Sequence, residues 1–151
     1  MIVHPMKLNK EPFDLIKEEI KTIEMRLYDE KRRKIRIGDI IEFTNNETSE
    51  IIKCIVVNIH LFSDFKELYA KFDKRTLGYL EDEDASYTDM FEYYSKEEID
   101  EYGVVGIEIE LMSIIQNFEY DKDDERLDKI SDSLFDKMNV KKETKERRFS
   151  K

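Results

Sequence analysis

The sequence predicts an α+β domain: a small, mixed, mainly antiparallel β-barrel with flanking helices. Three observations point there. Apolar and polar residues alternate through 22–28, the signature of a strand with two unlike faces. Phe13, Ile16 and Ile20, and later Phe65, Leu68 and Phe72, recur at helical spacing. The strand and helix segments do not alternate regularly, which argues against a doubly wound parallel sheet.

The elements follow in order. A helix is expected over 12–20, with Pro12 in its first turn and Glu18 and Glu19 facing water. In the strand after it, Ile23, Met25 and Leu27 form one face, and Thr22, Glu24, Arg26 and Tyr28 the other. A charged connector over 29–34 leads through Ile35 and Ile37 to a turn at Gly38-Asp39. A strand over 40–43, a turn at 44–47 and a long β-branched strand over 51–60 come next. Ser63 is placed to cap a helix over 64–72. Residues 76–92 read as loop with short helical turns. Ser95 and Glu98 have capping-box spacing, and the short helix they open stops at Gly103, expected as a left-handed terminator. A last strand covers 104–112.

This divides the chain into a domain over 1–115 and an extension over 116–151. In the extension, Leu127, Ile130, Leu134 and Met138 share one helical face, followed by a polar, basic and disordered end. Such a helix, within 121–151, is a candidate surface for a protein partner.

A chain of 151 residues with 40% hydrophobic residues can bury one ordinary core. Its one cysteine, Cys54, lies in an apolar run and reads as a core residue, with no disulfide available. No window has the ~20 apolar residues of a membrane helix, and the start lacks the form of a signal peptide, so the expected compartment is the cytoplasm. The histidines, His4 and His60, stand far apart with no ligand spacing near them, and four glycines hardly furnish a phosphate loop, so neither metal nor cofactor is expected.

The net charge of −10 argues against a generic binder of phosphate backbones. The charge is uneven, however. Residues 81–101 are strongly acidic, whereas Lys31, Arg32, Arg33, Lys34 and Arg36 form a basic cluster free of acids. That cluster is a candidate contact for a nucleic-acid backbone, and equally reads as a solvated connector.

Three separated segments share a pattern: Lys21-Thr22-Ile23-Glu24-Met25-Arg26, Gly38-Asp39-Ile40-Ile41-Glu42-Phe43 and Tyr102-Gly103-Val104-Val105-Gly106-Ile107, with Tyr93-Tyr94-Ser95 before the last. Their order and spacing, from about residue 6 to 111, resemble the ASCH family of the PUA-like superfamily. One departure is visible: the family's glycine two residues before the lysine is Glu19 here. The resemblance implies a PUA-like barrel whose cleft, lined by K-x-x-E-x-R residues, holds RNA or a nucleotide-like ligand.

The residue types suit that ligand. Arg26 matches a phosphate or pairs with Glu24, Glu24 accepts from an exocyclic amine, and Tyr28 offers a stacking ring. Lys21, Thr22, Glu24, Arg26, Tyr28, Tyr94 and Ser95 are therefore the candidate ligand residues. The plainer reading is a solvated strand carrying a surface Glu24–Arg26 pair.

Two alternatives stay open. One ASCH branch that this chain resembles hydrolyses acetylated cytidine with a lysine, a threonine and a glutamate. The lysine corresponds to Lys21, but the threonine falls on Glu24, leaving a Glu24-activated water with Lys21 at the oxyanion as the catalytic arrangement. RNA cleavage involving Tyr94 and Ser95 is a further form of this alternative, although Ser95 also reads as a helix cap. The other alternative is an adaptor acting through 121–151.

Overall fold

The computed structural model describes residues 1–115. The helix and basic end expected after residue 115 lie outside the described residues. The first element is one that sequence patterning did not reveal: strand β1, Val3–Leu8. It precedes helix α1 (Lys10–Lys17) and strand β2 (Ile23–Leu27). After a 3-10 turn at Arg32–Lys34 come β3 (Ile40–Asn45) and β4 (Ile51–Phe62). Two short helices, α2 (Phe65–Lys71) and α3 (Lys74–Leu77), lead to a 3-10 turn at Tyr87–Glu92. Helix α4 (Lys96–Tyr102) and strand β5 (Val104–Ile115) complete the described chain.

The strands form one sheet in the order β1-β3-β4-β5-β2. Among the described residues only β1 and β3 pair in parallel; the other three neighbours are antiparallel. The mainly antiparallel expectation is met, but the barrel is not. β1 and β2 are the two ends of the ladder and share no pairing, so the sheet is open. Pro5, in the middle of β1, brings no N–H to either side of that strand, a position proline tolerates at a sheet edge. Arg26 Nη2 of β2 donates across the gap to the Lys7 carbonyl of β1 at 3.2 Å.

Two apolar clusters hold the sheet. One gathers Met6 and Leu8 of β1, Phe13 and Ile16 of α1, and Val105, Ile107 and Ile109 of β5. Cys54 is fully buried within it, and burial together with Glu24 and Glu19 pushes its thiol up to about 12, so it stays an inert core residue. The other cluster takes Ile23, Met25 and Leu27 of β2 against Phe65, Leu68, Leu77, Tyr94 and Ile99. Both faces of β2 are thereby covered. The sequence period showed that the two faces differ, but not that the polar one turns inward.

Helix ends follow their local chemistry. α1 stops in a Schellman motif: Ile20 N–H donates to the Leu15 carbonyl and Glu19 N–H to the Ile16 carbonyl, both at 2.9 Å. The left-handed position of that motif, ordinarily glycine, is Glu19, with φ +63°. Asp64, rather than Ser63, caps α2 by accepting from the Glu67 N–H. The Ser95–Glu98 capping box opens α4 as expected. Gly103 departs from the expected left-handed helical stop. Its φ of +70° is paired with ψ −175°, and a Cβ there would meet the Phe62 carbonyl oxygen at 3.1 Å.

Candidate functional site

The K-x-x-E-x-R segment runs from the turn after α1 into β2. Lys21, Glu24 and Arg26 are 1%, 3% and 2% exposed, so none is a surface charge. In register, Glu24 lies beside Ile107 and Arg26 beside Val105, both core residues of β5. The three charges form a chain. Arg26 Nε donates to Glu24 Oε2 at 2.7 Å, and Lys21 Nζ lies 3.4 Å from Glu24 Oε1. Lys21 also donates to the carbonyls of Ile23 at 2.7 Å and Leu77 at 2.9 Å. The plain alternative of a solvated surface pair is thus overturned.

Burial opposes a charge on Glu24, but Arg26 and then Lys21, through charge and hydrogen bonding, outweigh it and hold the carboxyl below the usual carboxylate range. Burial likewise opposes the charge on Arg26, and Glu24 chiefly, with Tyr94 and Asp29, keeps it protonated. A general base must reach its substrate and titrate near the working pH. Glu24 is a buried, fully ionised carboxylate between two cations. Lys21 is directed at main-chain carbonyls. This is the geometry of a structural ion cluster, and it gives no support to an activated water at Glu24.

Of the three, Arg26 lines the cleft between β1 and β2. The gap between β1 and β2 forms a cavity of about 340 Å³, lined by Pro5, Met6, Lys7, Arg26, Lys31, Arg32 and Thr44. Four of the seven are cationic and none is acidic. Lys7 and Lys31 are exposed and form no ion pair among the described residues. Arg32 donates through Nη1 to Asp29 Oδ2 at 3.0 Å. Its Nε is buried and finds no hydrogen-bond acceptor among the described residues. A buried orphan donor in a basic cleft is suited to an anionic oxygen.

The remaining candidates are dispersed. Thr22 lies with Lys21 against a smaller cavity of about 150 Å³, which Ile16, Glu19, Ile109, Glu110 and Leu111 also line. Tyr28 is half-buried with the Arg33 guanidinium 4.3 Å above its ring, so that face is already covered. Tyr94 is buried and stacked on Phe65, its phenol pushed up to about 12 mainly by burial. Ser95 is the α4 cap, with its hydroxyl accepting from the Glu98 N–H at 3.1 Å. The basic cluster divides. Lys31 and Arg32 line the cleft, whereas Arg33 donates to the Tyr102 carbonyl at 3.2 Å and Arg36 to the Arg33 carbonyl at 2.9 Å. Lys34 is exposed and lines neither cavity.

Sequence reasoning missed Lys7, Pro5, Met6 and Thr44, because the cleft depends on an unrecognised strand. The available signal was the alternation of Met6-Lys7-Leu8 just before the first helix. Among the described residues no group of histidine, cysteine and carboxylate side chains gathers to hold a metal, and no helix is long and apolar enough to cross a membrane.

Comparison with known proteins agrees with this architecture. The chain is similar to the hypothetical protein PH0355, with a TM-score of 0.63 and 36% identity over 74% of this chain and 100% of that one. It is also similar to the protein PF0455 from Pyrococcus furiosus, with a TM-score of 0.56 and 34% identity over 74% and 99% of the two chains. A serine-to-alanine variant of an ASCH protein from Zymomonas mobilis shares the fold, with a TM-score of 0.52 at 14% identity over 87% and 95%. No curated protein matches the chain. The ASCH domain model matches residues 6–113, most of the described chain, and the protein therefore belongs to the ASCH domain family.

Proposed function

We propose that the protein binds RNA or a nucleotide-like ligand by its phosphate, in the cleft between β1 and β2. The observation that carries this reading is a cavity lined by Lys7, Arg26, Lys31 and Arg32, with no carboxylate on its wall, in a chain of net charge −10. Positive charge concentrated in one concavity of an otherwise acidic protein focuses the field on an anion. Arg26 forms the inner end, fixed by Glu24, and Lys7 and Lys31 stand at the exposed rim. Membership of a family linked to RNA binding supports nucleic acid as the source of that anion. The cleft also accounts for the basic cluster better than a backbone-tracking strip does, since only Lys31 and Arg32 of it face the cavity.

The test is binding of a short labelled single-stranded RNA by fluorescence anisotropy across a salt series. Lys31→Ala and Lys7→Ala should each weaken binding and lower the salt slope by roughly one phosphate contact. Lys66→Ala, on the exposed side of α2, should change neither. Absence of binding at low salt, or an equal loss in the Lys66 variant, refutes the reading.

A further inference from the structure

We infer that the cleft selects a terminal phosphomonoester of a nucleotide unit over an internal phosphodiester. The inference rests on the proposed phosphate-binding role and narrows it. Its first support is a charge count. The cleft presents four cations, and two of them have a carboxylate partner outside the lining: Arg26 with Glu24 and Arg32 with Asp29. Lys7 and Lys31 have none among the described residues, so two of the four wall cations lack a carboxylate partner. A phosphodiester brings one negative charge. A terminal phosphate brings about −1.5 to −2 at neutral pH and three strong acceptor oxygens.

The second support is the donor geometry. Arg32 Nε is buried without an acceptor, while Nη1 of the same guanidinium is held by Asp29 at 3.0 Å. The fork is thereby held in orientation, with its buried Nε left without an acceptor. A terminal phosphate offers three unesterified oxygens to the lysines and guanidiniums of this wall, whereas a diester has only two to share.

The third support is size. At about 340 Å³ the cavity is near the small end of ligand pockets and has room for one nucleotide rather than a run of several. Pro5 and Met6 give it an apolar wall against which a sugar or base can lie.

The experiment uses the full chain and a labelled five-nucleotide RNA in three forms: 5′-phosphate, 3′-phosphate, and hydroxyl at both ends. One phosphorylated form should bind about tenfold more tightly than the hydroxyl form. Arg32→Lys keeps the charge but removes Nε. It should reduce that preference, read as the ratio of the two affinities in the same variant, by about threefold. Competition by adenosine monophosphate as strong as by the phosphorylated RNA supports the inference and assigns the site to free nucleotides. Weaker competition supports it and assigns the site to RNA ends. Equal affinity for phosphorylated and hydroxyl RNA overturns the inference and leaves the phosphate-binding cleft standing. Failure of every ligand to bind removes both. A phosphoserine peptide that competes as well as phosphorylated RNA overturns the assignment to nucleotides.

Discussion

Glu24→Gln isolates the energetic consequence of a carboxylate enclosed between two cations. The amide keeps the shape of Glu24 and one oxygen for Arg26 Nε, which now donates to the carboxylate at 2.7 Å. What it removes is the negative charge shared with Lys21 Nζ at 3.4 Å. Removing one partner of a buried ion pair costs about 3–5 kcal/mol, because the remaining charge is left desolvated. Lys21 retains the carbonyls of Ile23 and Leu77, which places the expected loss at the lower end, about 3 kcal/mol. That is a large share of the ~5–15 kcal/mol that holds an ordinary domain folded. In urea, with a slope of about 1–3 kcal/mol per molar, the midpoint should fall by about 1–3 M without a change in slope.

The pH dependence has a definite sign. The Glu24 carboxyl titrates lower in the folded protein than in the unfolded chain, so its stabilisation is complete above the unfolded value of about 4.3 and is lost as pH falls through the folded value. The gap between wild type and variant should therefore be widest near neutrality and narrow in acid. A loss below about 1 kcal/mol at pH 7, or a gap that widens in acid, would show that the cluster is far better solvated than its burial implies.

Replacing the whole cluster tests the converse. Lys21→Met, Glu24→Leu and Arg26→Met together should leave stability unchanged or raise it by about 1–4 kcal/mol in the same urea titration, while abolishing RNA binding. Glu19→Gly places glycine at the left-handed end of α1 and should raise stability by about 0.5–1 kcal/mol, read from the thermal midpoint. Ser95→Ala removes the α4 capping box and should cost about 1 kcal/mol by denaturant titration. Asp39 is held down to about 2, first by the His4 hydrogen bond at 2.8 Å, against partial burial, and then by the amides of Arg36 and Ile2. Its contribution is present above the unfolded value of about 4 and lost between there and about 2, so the stability gap between wild type and Asp39→Asn should close over that acid range.

The legible parts of the fold were those set by local chemistry. The alternation in β2, the β-branched run of β4 and the Ser95 capping box are each contained within a few residues, and each appears where its pattern places it. The family resemblance marked Glu19 as the one irregular position. In the structure the turn there is kept at a positive φ that a glycine would take more readily. β1 was not legible. Its segment, interrupted by His4-Pro5, becomes a strand through parallel pairing with β3, some 37 residues away, as Val3 with Ile40 shows. The open sheet has the same origin: whether β1 meets β2 is a tertiary outcome that no short pattern records.

The candidate site shows the same division more sharply. Residue types in the K-x-x-E-x-R segment suggested one wall of three polar groups facing a ligand. The structure instead links them in a buried chain. Lys21 neutralises Glu24, Glu24 orients Arg26, and Arg26 alone meets both the cleft and the opposite edge strand through the Lys7 carbonyl. Buried ion clusters of this kind are often replaced by a well-packed hydrophobic set at no loss of stability. A buried salt bridge is therefore weak evidence of stabilisation by itself. A guanidinium held rigidly at the seam of an open sheet does something a methionine there could not: it presents a permanent charge of fixed orientation to whatever enters between β1 and β2.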